Sequence, residues 1–463
     1  MSSKSAQRDM TTGTIWKEIF IFFLPIVAGT LFQQLYNAAD AIIVGKFVGT
    51  EALAAVGGSP AVIINLEISI FVSLTTGSSV IIAQLYGAGF KKDLKRATGT
   101  AMVFFGLLGV CMTLSLEPLT YWMLEALDTP ADTVESAATY LHICFAAAPA
   151  LMLVNAQSGI LRAVGDSRSP FIYMLISCLA NIVLDLVFVI FLDMKVAGVA
   201  LATVISIVIN MILTTVKLVR TQEAYRIDVH ELKIDKHLLG DMMQLGIPAA
   251  LQGAMYGVSN MIIQVSVNAL GTNVVAAWAL SGKVDGIYWA TSNAAGSAIT
   301  TFAGQNYGAK KMDRVFDSMK QSLLLFMPIS AAIELVVLLF AGRVLPFFTD
   351  DLEVIEITKK IFEYIVPYYL FWTFIEVASG ILRGCGDVRM PVVITGIGIC
   401  LFRTVWIMTV CRWDNSLFNL CIIYAISWAV TAVALMLYFF RWKKKTTLKM
   451  LAEKKKATAE ENA

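Results

Sequence analysis

Apolar residues run through this chain in stretches of twenty or more, broken by short polar segments that hold most of its lysine and arginine. A bilayer core of about 30 Å is crossed by about 20 residues of helix. On that measure the pattern predicts spanning helices over residues 16–44, 53–83, 97–116, 137–161, 170–192 and 196–216. Six more follow over 238–269, 274–303, 319–340, 361–382, 391–410 and 417–440. Several stretches exceed the bilayer requirement, which implies tilt or extension beyond the lipid. The expected organisation is a tail over 1–14, a first lobe over 15–219, a connector over 220–237, a second lobe over 238–440 and a basic tail over 441–463.

Positive charge sorts with this count. With the N-terminus placed inside, the inside segments hold Lys91, Lys92, Lys95, Arg96, Arg162, Arg168, Lys310, Lys311, Arg314, Arg383 and Arg389. The connector and the run Arg441-Trp-Lys-Lys-Lys445 fall inside as well. The outside loops hold Lys46, Lys195, Arg343, Lys359, Lys360 and Arg412. The excess of positive charge inside places both termini in the cytoplasm of a multi-pass plasma-membrane protein.

The two halves are copies. Ser158-Gly-Ile-Leu-Arg162-Ala-Val-Gly165-Asp166-Ser-Arg168-Ser-Pro170 returns 221 positions later as Ser379-Gly-Ile-Leu-Arg383-Gly-Cys-Gly386-Asp387-Val-Arg389-Met-Pro391, with nine of thirteen residues identical. Gln84-Leu-Tyr86-Gly-Ala matches Gln305-Asn-Tyr307-Gly-Ala, and Asn37 and Asn260 each follow a proline, Pro25 and Pro248, by twelve residues. Six spans per half is an even number, so both halves enter the membrane in one orientation. The fold class expected is an all-α polytopic membrane protein of twelve transmembrane helices, in two six-helix lobes related by a pseudo-twofold axis along the membrane normal.

Composition narrows the function classes. The chain is 57% hydrophobic and 15% charged, with mean hydropathy +0.72. The net charge of +2 is small, and basic stripes interleaved with aromatics are missing, so nucleic-acid partners are not expected. The seven cysteines are scattered through apolar runs and the three histidines form no ligand pattern, which argues against a disulfide framework or a structural metal. The polar start Met1-Ser-Ser-Lys-Ser-Ala-Gln-Arg lacks the pattern of a cleaved signal peptide. The cytoplasmic side shows no nucleophile–base set or phosphate loop, so an enzyme is not expected, and no filter sequence points to a channel.

Ionisable groups inside spans are functional candidates because lipid disfavours them. They are Asp40, Glu67, Asp185, Lys283, Asp285, Glu334, Glu376 and Arg403. Asp40 and Asp185 form the strongest pair. Asn181 is four residues before Asp185, and Tyr36 and Asn37 are four and three before Asp40, so each acid shares a helical face with polar neighbours. Burial and a second carboxylate both disfavour the charged form, and two such acids titrate as a coupled pair. That suits exchange of a proton against a cation.

Taken together these residues resemble the MATE (multidrug and toxic compound extrusion) transporters over essentially the full length. The marks are Pro25 with Gln33-Gln-Leu-Tyr-Asn37-Ala-Ala-Asp40, the paired Gln-x-Tyr-Gly-Ala span endings, the paired Leu-Arg-x-x-Gly-Asp loops and the twelve-span length. The resemblance implies two lobes forming a V around a central cleft. It also implies export of amphipathic, often cationic compounds in exchange for H⁺ or Na⁺, with no other cofactor. Asp40, Asn181, Asp185 and Thr203 match the acidic, amide and hydroxyl positions of a cation site in the DinF-like branch, where Na⁺ could be held. Gln33, Tyr36, Asn37, Tyr140 and Asn155 look like the polar lining of the same cavity, with Glu376 as either a further substrate contact or a structural hydrogen-bonding group. The expected partners are small amphipathic molecules and membrane lipids, and the chain is expected to act as a monomer. The alternative is a flippase for lipid-linked or polysaccharide precursors, a related class that often has fourteen spans and cavity arginines.

The duplication refines these expectations. A shift of 221 sets Asp185 on Trp406 and Asn181 on Phe402, and a shift of 223 sets Asp40 on Ile263, so the acid cluster belongs to the first half alone. Glu376 stands where the first half has Asn155, without the acid in span seven that would complete a second site. Lys283 and Asp285 are candidates to pair with other spans, and Arg403 to neutralise one of the buried acids. Pro25, fifteen residues before Asp40, is the candidate hinge. The Gly-Asp-x-Arg loops read as structural turns, with Pro170 and Pro391 opening the next helices.

Overall fold

The computed structural model describes residues 8–228 and 232–461; the side chains of residues 37–39, 41, 50, 51, 53, 54 and 453–461 lie outside the description. The described backbone is helical from end to end, without strands. The first half forms α1 (Ile15–Ile43), α2 (Thr50–Gly57), α3 (Ser59–Gly87), α4 (Lys91–Leu116), α5 (Thr120–Ala126), α6 (Val134–Ala146), α7 (Ala148–Ala163), α8 (Arg168–Leu186) and α9 (Lys195–Arg220). The second half forms α10 (Lys236–Asn268), α11 (Thr272–Gly308), α12 (Met312–Val344), α13 (Leu352–Ile365), α14 (Tyr369–Gly384), α15 (Arg389–Thr395), α16 (Phe402–Trp413) and α17 (Leu417–Glu461).

Each predicted span has a helical counterpart. Among the described residues nine segments are long and apolar enough to cross a membrane, and α6 with α7, bent by 49° at their junction, makes a tenth. Pro149, in the first turn of α7, cannot donate a backbone hydrogen bond into α6, which accounts for the break there. The remaining two, α10 and α11, are 33 and 37 residues long. They interleave polar residues such as Gln252, Ser259, Asp285 and Ser292 with their apolar ones, which lowers their hydropathy without shortening them.

Large apolar side chains point outward along these helices. Leu114, Leu324, Leu339 and Val265 are each at least 66% exposed. A surface this apolar is a membrane-facing one. Inside, small residues let the helices approach: Ala97, Ala101, Ala156 and Ala163 join Phe105, Met152 and Ile160 in a buried cluster of α3, α4 and α7.

The chain divides into two compact units. The first comprises Met1–Ala254 with Gly304–Lys311 and Gly384–Gly386; the second comprises Met255–Ala303, Met312–Arg383 and Asp387–Ala463. The two short second-half pieces join the first unit through the repeated motifs. Gln84 Nε2 donates to the Gly384 carbonyl at 2.8 Å, and its copy Gln305 donates to the Ala163 carbonyl at 2.8 Å. A Cβ on Gly87 would stand 1.9 Å from the Gln305 carbonyl oxygen, and one on Gly308 would stand 1.9 Å from that of Gln84. The Gln-x-Tyr-Gly-Ala endings are therefore glycines for a symmetric backbone contact. The N-terminal segment packs on this knot: Met10 N–H donates to Gln305 Oε1 at 3.2 Å, and Asn306 Nδ2 donates to the Met10 carbonyl at 3.0 Å.

The Gly-Asp loops turn as expected. Gly165 and Gly386 have φ of +90° and +87°, a region that favours glycine. Asp166 then caps α8 by accepting from Ser169 N at 2.9 Å and Ser169 Oγ at 2.6 Å, whereas Asp387 accepts from Tyr438 Oη.

Candidate functional site

The site is built by α1, α8 and α9 of the first unit, with α8 packed between the other two. Asp40 lies on α1, Asn181 and Asp185 are fully buried on α8, and Thr203 lies on α9. Oriented so that its oxygen accepts from the Thr203 backbone N–H at 3.2 Å, the Asn181 amide donates to Asp40 Oδ1 and to Asp185 Oδ2, each at 3.1 Å. One amide thus ties two acids from different helices to a third helix. The Asp40 carboxyl also has Tyr36 and Asp185 within hydrogen-bonding reach.

One oxygen of this cluster is left over. Asp185 Oδ1 is buried without a hydrogen-bond partner among the described residues, and the Thr203 hydroxyl lies beside Tyr36. Buried polar atoms are normally satisfied, and orphans mark a place for an ion, a water or a proton. Hard oxygens of this kind, with a carboxylate beside them, suit H⁺ or a cation such as Na⁺. Among the described residues no group of three or more His, Cys, Asp and Glu assembles that could hold a metal ion in the usual way.

Both acids lie within about one helical turn of a local change of helix. Residues Val44–Val48 after Asp40 and Val187–Phe191 after Asp185 wind as π-helical turns. Such turns shift the hydrogen-bond ladder by one residue, turn a side chain relative to a regular helix and are frequent at functional positions.

A cavity of about 640 Å³ opens beside the cluster, within the size range of small-molecule pockets. Asp40, Gln33, Tyr36, Tyr140, Asn155, Thr203 and Pro25 all line it. Asn181 and Asp185 stand behind this wall rather than on it. The side chain of Asn37 lies outside the described residues. Helix α1 continues through Pro25, so the proline removes a hydrogen bond without ending the helix.

Several lining residues were not among the predicted cavity residues. Ser206 and Asn210 follow Thr203 on α9 at spacings of three and four, which marks one polar stripe on an otherwise apolar helix. Ser158 and Arg162 stand at the same spacings after Asn155 on α7. That periodicity was the available signal.

The other candidates fall in the second unit or away from the cavity. Glu376 accepts from Arg383 Nη2 at 3.0 Å, two turns later on α14, and does not line the 640 Å³ cavity. Asp285 lies beside Tyr369, and exposed Lys283 makes no ion pair among the described residues. Glu67 and Glu334 are buried. Arg403 neutralises none of these acids. Its Nε donates to Ser427 Oγ at 3.0 Å, and its guanidinium lies 3.9 Å from the Tyr424 ring centre and 5.6 Å from that of Trp428. Aromatic faces replace the expected carboxylate because they attract a cation without adding a second buried charge.

The positions equivalent to the acids are apolar, as the duplication requires. Ile263, the counterpart of Asp40, is 1% exposed in a cluster with Val267, Cys411 and Leu420, and Trp406, the counterpart of Asp185, packs on that same cluster.

Comparison with known proteins agrees with this architecture. The family model described as MatE matches residues 25–187 and 248–408. A probable multidrug resistance protein of Bacillus subtilis, YoeA, is 27% identical over 95% of this chain and 96% of its own length. The multidrug export protein MepA of Staphylococcus aureus is 22% identical over 92% of this chain and 94% of its own. A crystal structure of a MATE protein in its bent conformation superposes with a TM-score of 0.90 at 22% identity, covering 97% of this chain and 99% of that one. That likeness carries the twelve-helix, two-lobe fold.

Proposed function

This chain belongs to the MatE family, and we propose on that premise that it exports amphipathic, often cationic small molecules by exchange for H⁺ or Na⁺. It is a multi-pass membrane transporter and not an enzyme. One observation carries the proposal: a carboxylate on the wall of a drug-sized cavity, Asp40, joined through a single amide to a second, buried carboxylate, Asp185. The names of the B. subtilis and S. aureus relatives support the drug class.

The exchange follows from charge. A cationic cargo or Na⁺ binds where the pair is ionised, and a proton that neutralises the pair displaces it. Asn181 hydrogen-bonds one oxygen of each acid, so gain or loss of a proton on either is felt by both, and by α1, α8 and α9 together. Burial of Asn181 and Asp185 limits the screening of that interaction. The driving force is sufficient, because one charge moving through 100 mV supplies about 2.3 kcal/mol. The excess of lysine and arginine on one side supports cytoplasmic termini in the plasma membrane.

The test is ethidium uptake into everted membrane vesicles, with the H⁺ and Na⁺ gradients collapsed separately. Uptake that stops when one gradient is removed identifies the coupling ion. Wild-type uptake in the double variant Asp40→Asn, Asp185→Asn would refute the assignment to this cluster.

A further inference from the structure

Arg162 and Arg383 are copies of one residue, 221 positions apart, yet only one has its acid. In the second unit Arg383 is paired with Glu376 at 3.0 Å. In the first unit the position of that acid is Asn155, whose amide nitrogen donates to the Leu151 carbonyl at 2.9 Å. Asp166, four residues on, is engaged with Ser169. Among the described residues the Arg162 side chain, half-buried on the cavity wall, makes no ion pair and no hydrogen bond.

This guanidinium lines the same cavity as Asp40. Asn155, Ser158 and Arg162 follow at spacings of three and four on α7, so all three turn to the cavity from one helical face. A partly desolvated charge without a partner is destabilising and favours an anion that can pair with it. The planar fork of arginine matches the two oxygens of a carboxylate or phosphate.

We propose that Arg162 forms an anion-binding end of this cavity, and that the cargo is an amphiphile whose head carries a carboxylate or phosphate. The cavity is then bipolar, with Asp40 available to a cationic centre and Arg162 to an anionic one. Loss of the acid at position 155 is what frees the arginine in the first half. This inference rests on reading the cavity as the transport cavity, but it is tested by binding alone.

The experiment uses the purified full chain in an uncharged maltoside detergent and isothermal titration calorimetry. Three probes share one tail and one quaternary ammonium: octyltrimethylammonium, N-octyl-N,N-dimethylglycine with an added carboxylate, and octylphosphocholine with an added phosphate. The wild type is expected to bind the two anion-bearing probes more tightly. Arg162→Gln should weaken them by roughly tenfold or more, the size of one charged hydrogen bond, while octyltrimethylammonium binds more tightly. Asn155→Glu, which restores the acid found in the other half, should have the same two opposite effects with the arginine kept. Preference for octylphosphocholine would mark a lipid headgroup as the source of the anion, and preference for the carboxylate probe a soluble compound. Equal losses for all three probes, or no change in either variant, would overturn the proposal. If vesicles show no ion-driven ethidium uptake while anion binding still depends on Arg162, the transport reading fails and the anion site stands.

Discussion

Asn181 and Asp40 meet across two helices at 3.1 Å, with Asn181 fully buried and Asp40 on the cavity wall. The contact connects a surface that cargo can reach to Asp185, which it cannot. The proposed coupling runs through that one amide.

Removing the amide should uncouple the acids. Asn181→Ala deletes two charge-assisted hydrogen bonds at once, each worth about 1.5–3 kcal/mol. Ethidium uptake is expected to fall by at least about tenfold, with the residual uptake responding less steeply to the driving gradient. Vesicle uptake at several gradient sizes reads both effects.

The acids compete for protons and cargo, which sets the sign of the pH dependence. Ethidium affinity should fall as pH falls, by up to about tenfold per unit if one proton displaces one cation. In the Asp40→Asn, Asp185→Asn protein the same titration should be flat. Fluorescence titration of ethidium against purified protein between mildly acid and mildly alkaline pH tests this.

The knot between the repeats should be intolerant of a methyl group. Gly87→Ala or Gly308→Ala places a Cβ 1.9 Å from a backbone oxygen, and overpacking of this kind costs about 1–3 kcal/mol. Gly240 on α10 has nothing within 4 Å of its added Cβ, so Gly240→Ala should hold or slightly raise stability. Thermal melting in detergent should separate the two classes.

Glu376 is expected to matter for stability more than for coupling. Glu376→Gln leaves Arg383 without its anion in a partly buried setting, where the loss should be roughly 1–3 kcal/mol. Glu376→Met with Arg383→Met should recover much of it. A melting temperature that does not move on Glu376→Gln would show that the pair contributes little.

How much of this was legible depends on the range of the forces involved. Span positions follow from hydropathy, which each stretch of chain carries for itself, and all twelve predicted spans are helices. The two weakest by hydropathy, α10 and α11, were still legible as long, mostly apolar stretches. The acids stood out because ionisable groups are rare in spans. Their connection through Asn181 did not, since contacts between α1 and α8 depend on packing across more than 140 residues. The π turns after Asp40 and Asp185 and the bend at Ala147 also left no local mark beyond Pro149. Arg403 shows the limit most clearly: sequence led to a carboxylate partner, and Tyr424 and Trp428 took that place through the packing of α16 on α17.

By itself the sequence determined the helical class, the duplication, the span count and the confinement of the acid cluster to one half. These are properties of composition, periodicity and offset, and they need no neighbours in space. Only the tertiary structure decided which charges meet. It put Asp40 and Asp185 on one amide, gave Glu376 to Arg383 and left Arg162 on the cavity wall without an acid paired to it. A carboxylate and a guanidinium interact over a few ångströms, and no spacing along a chain specifies that distance between helices.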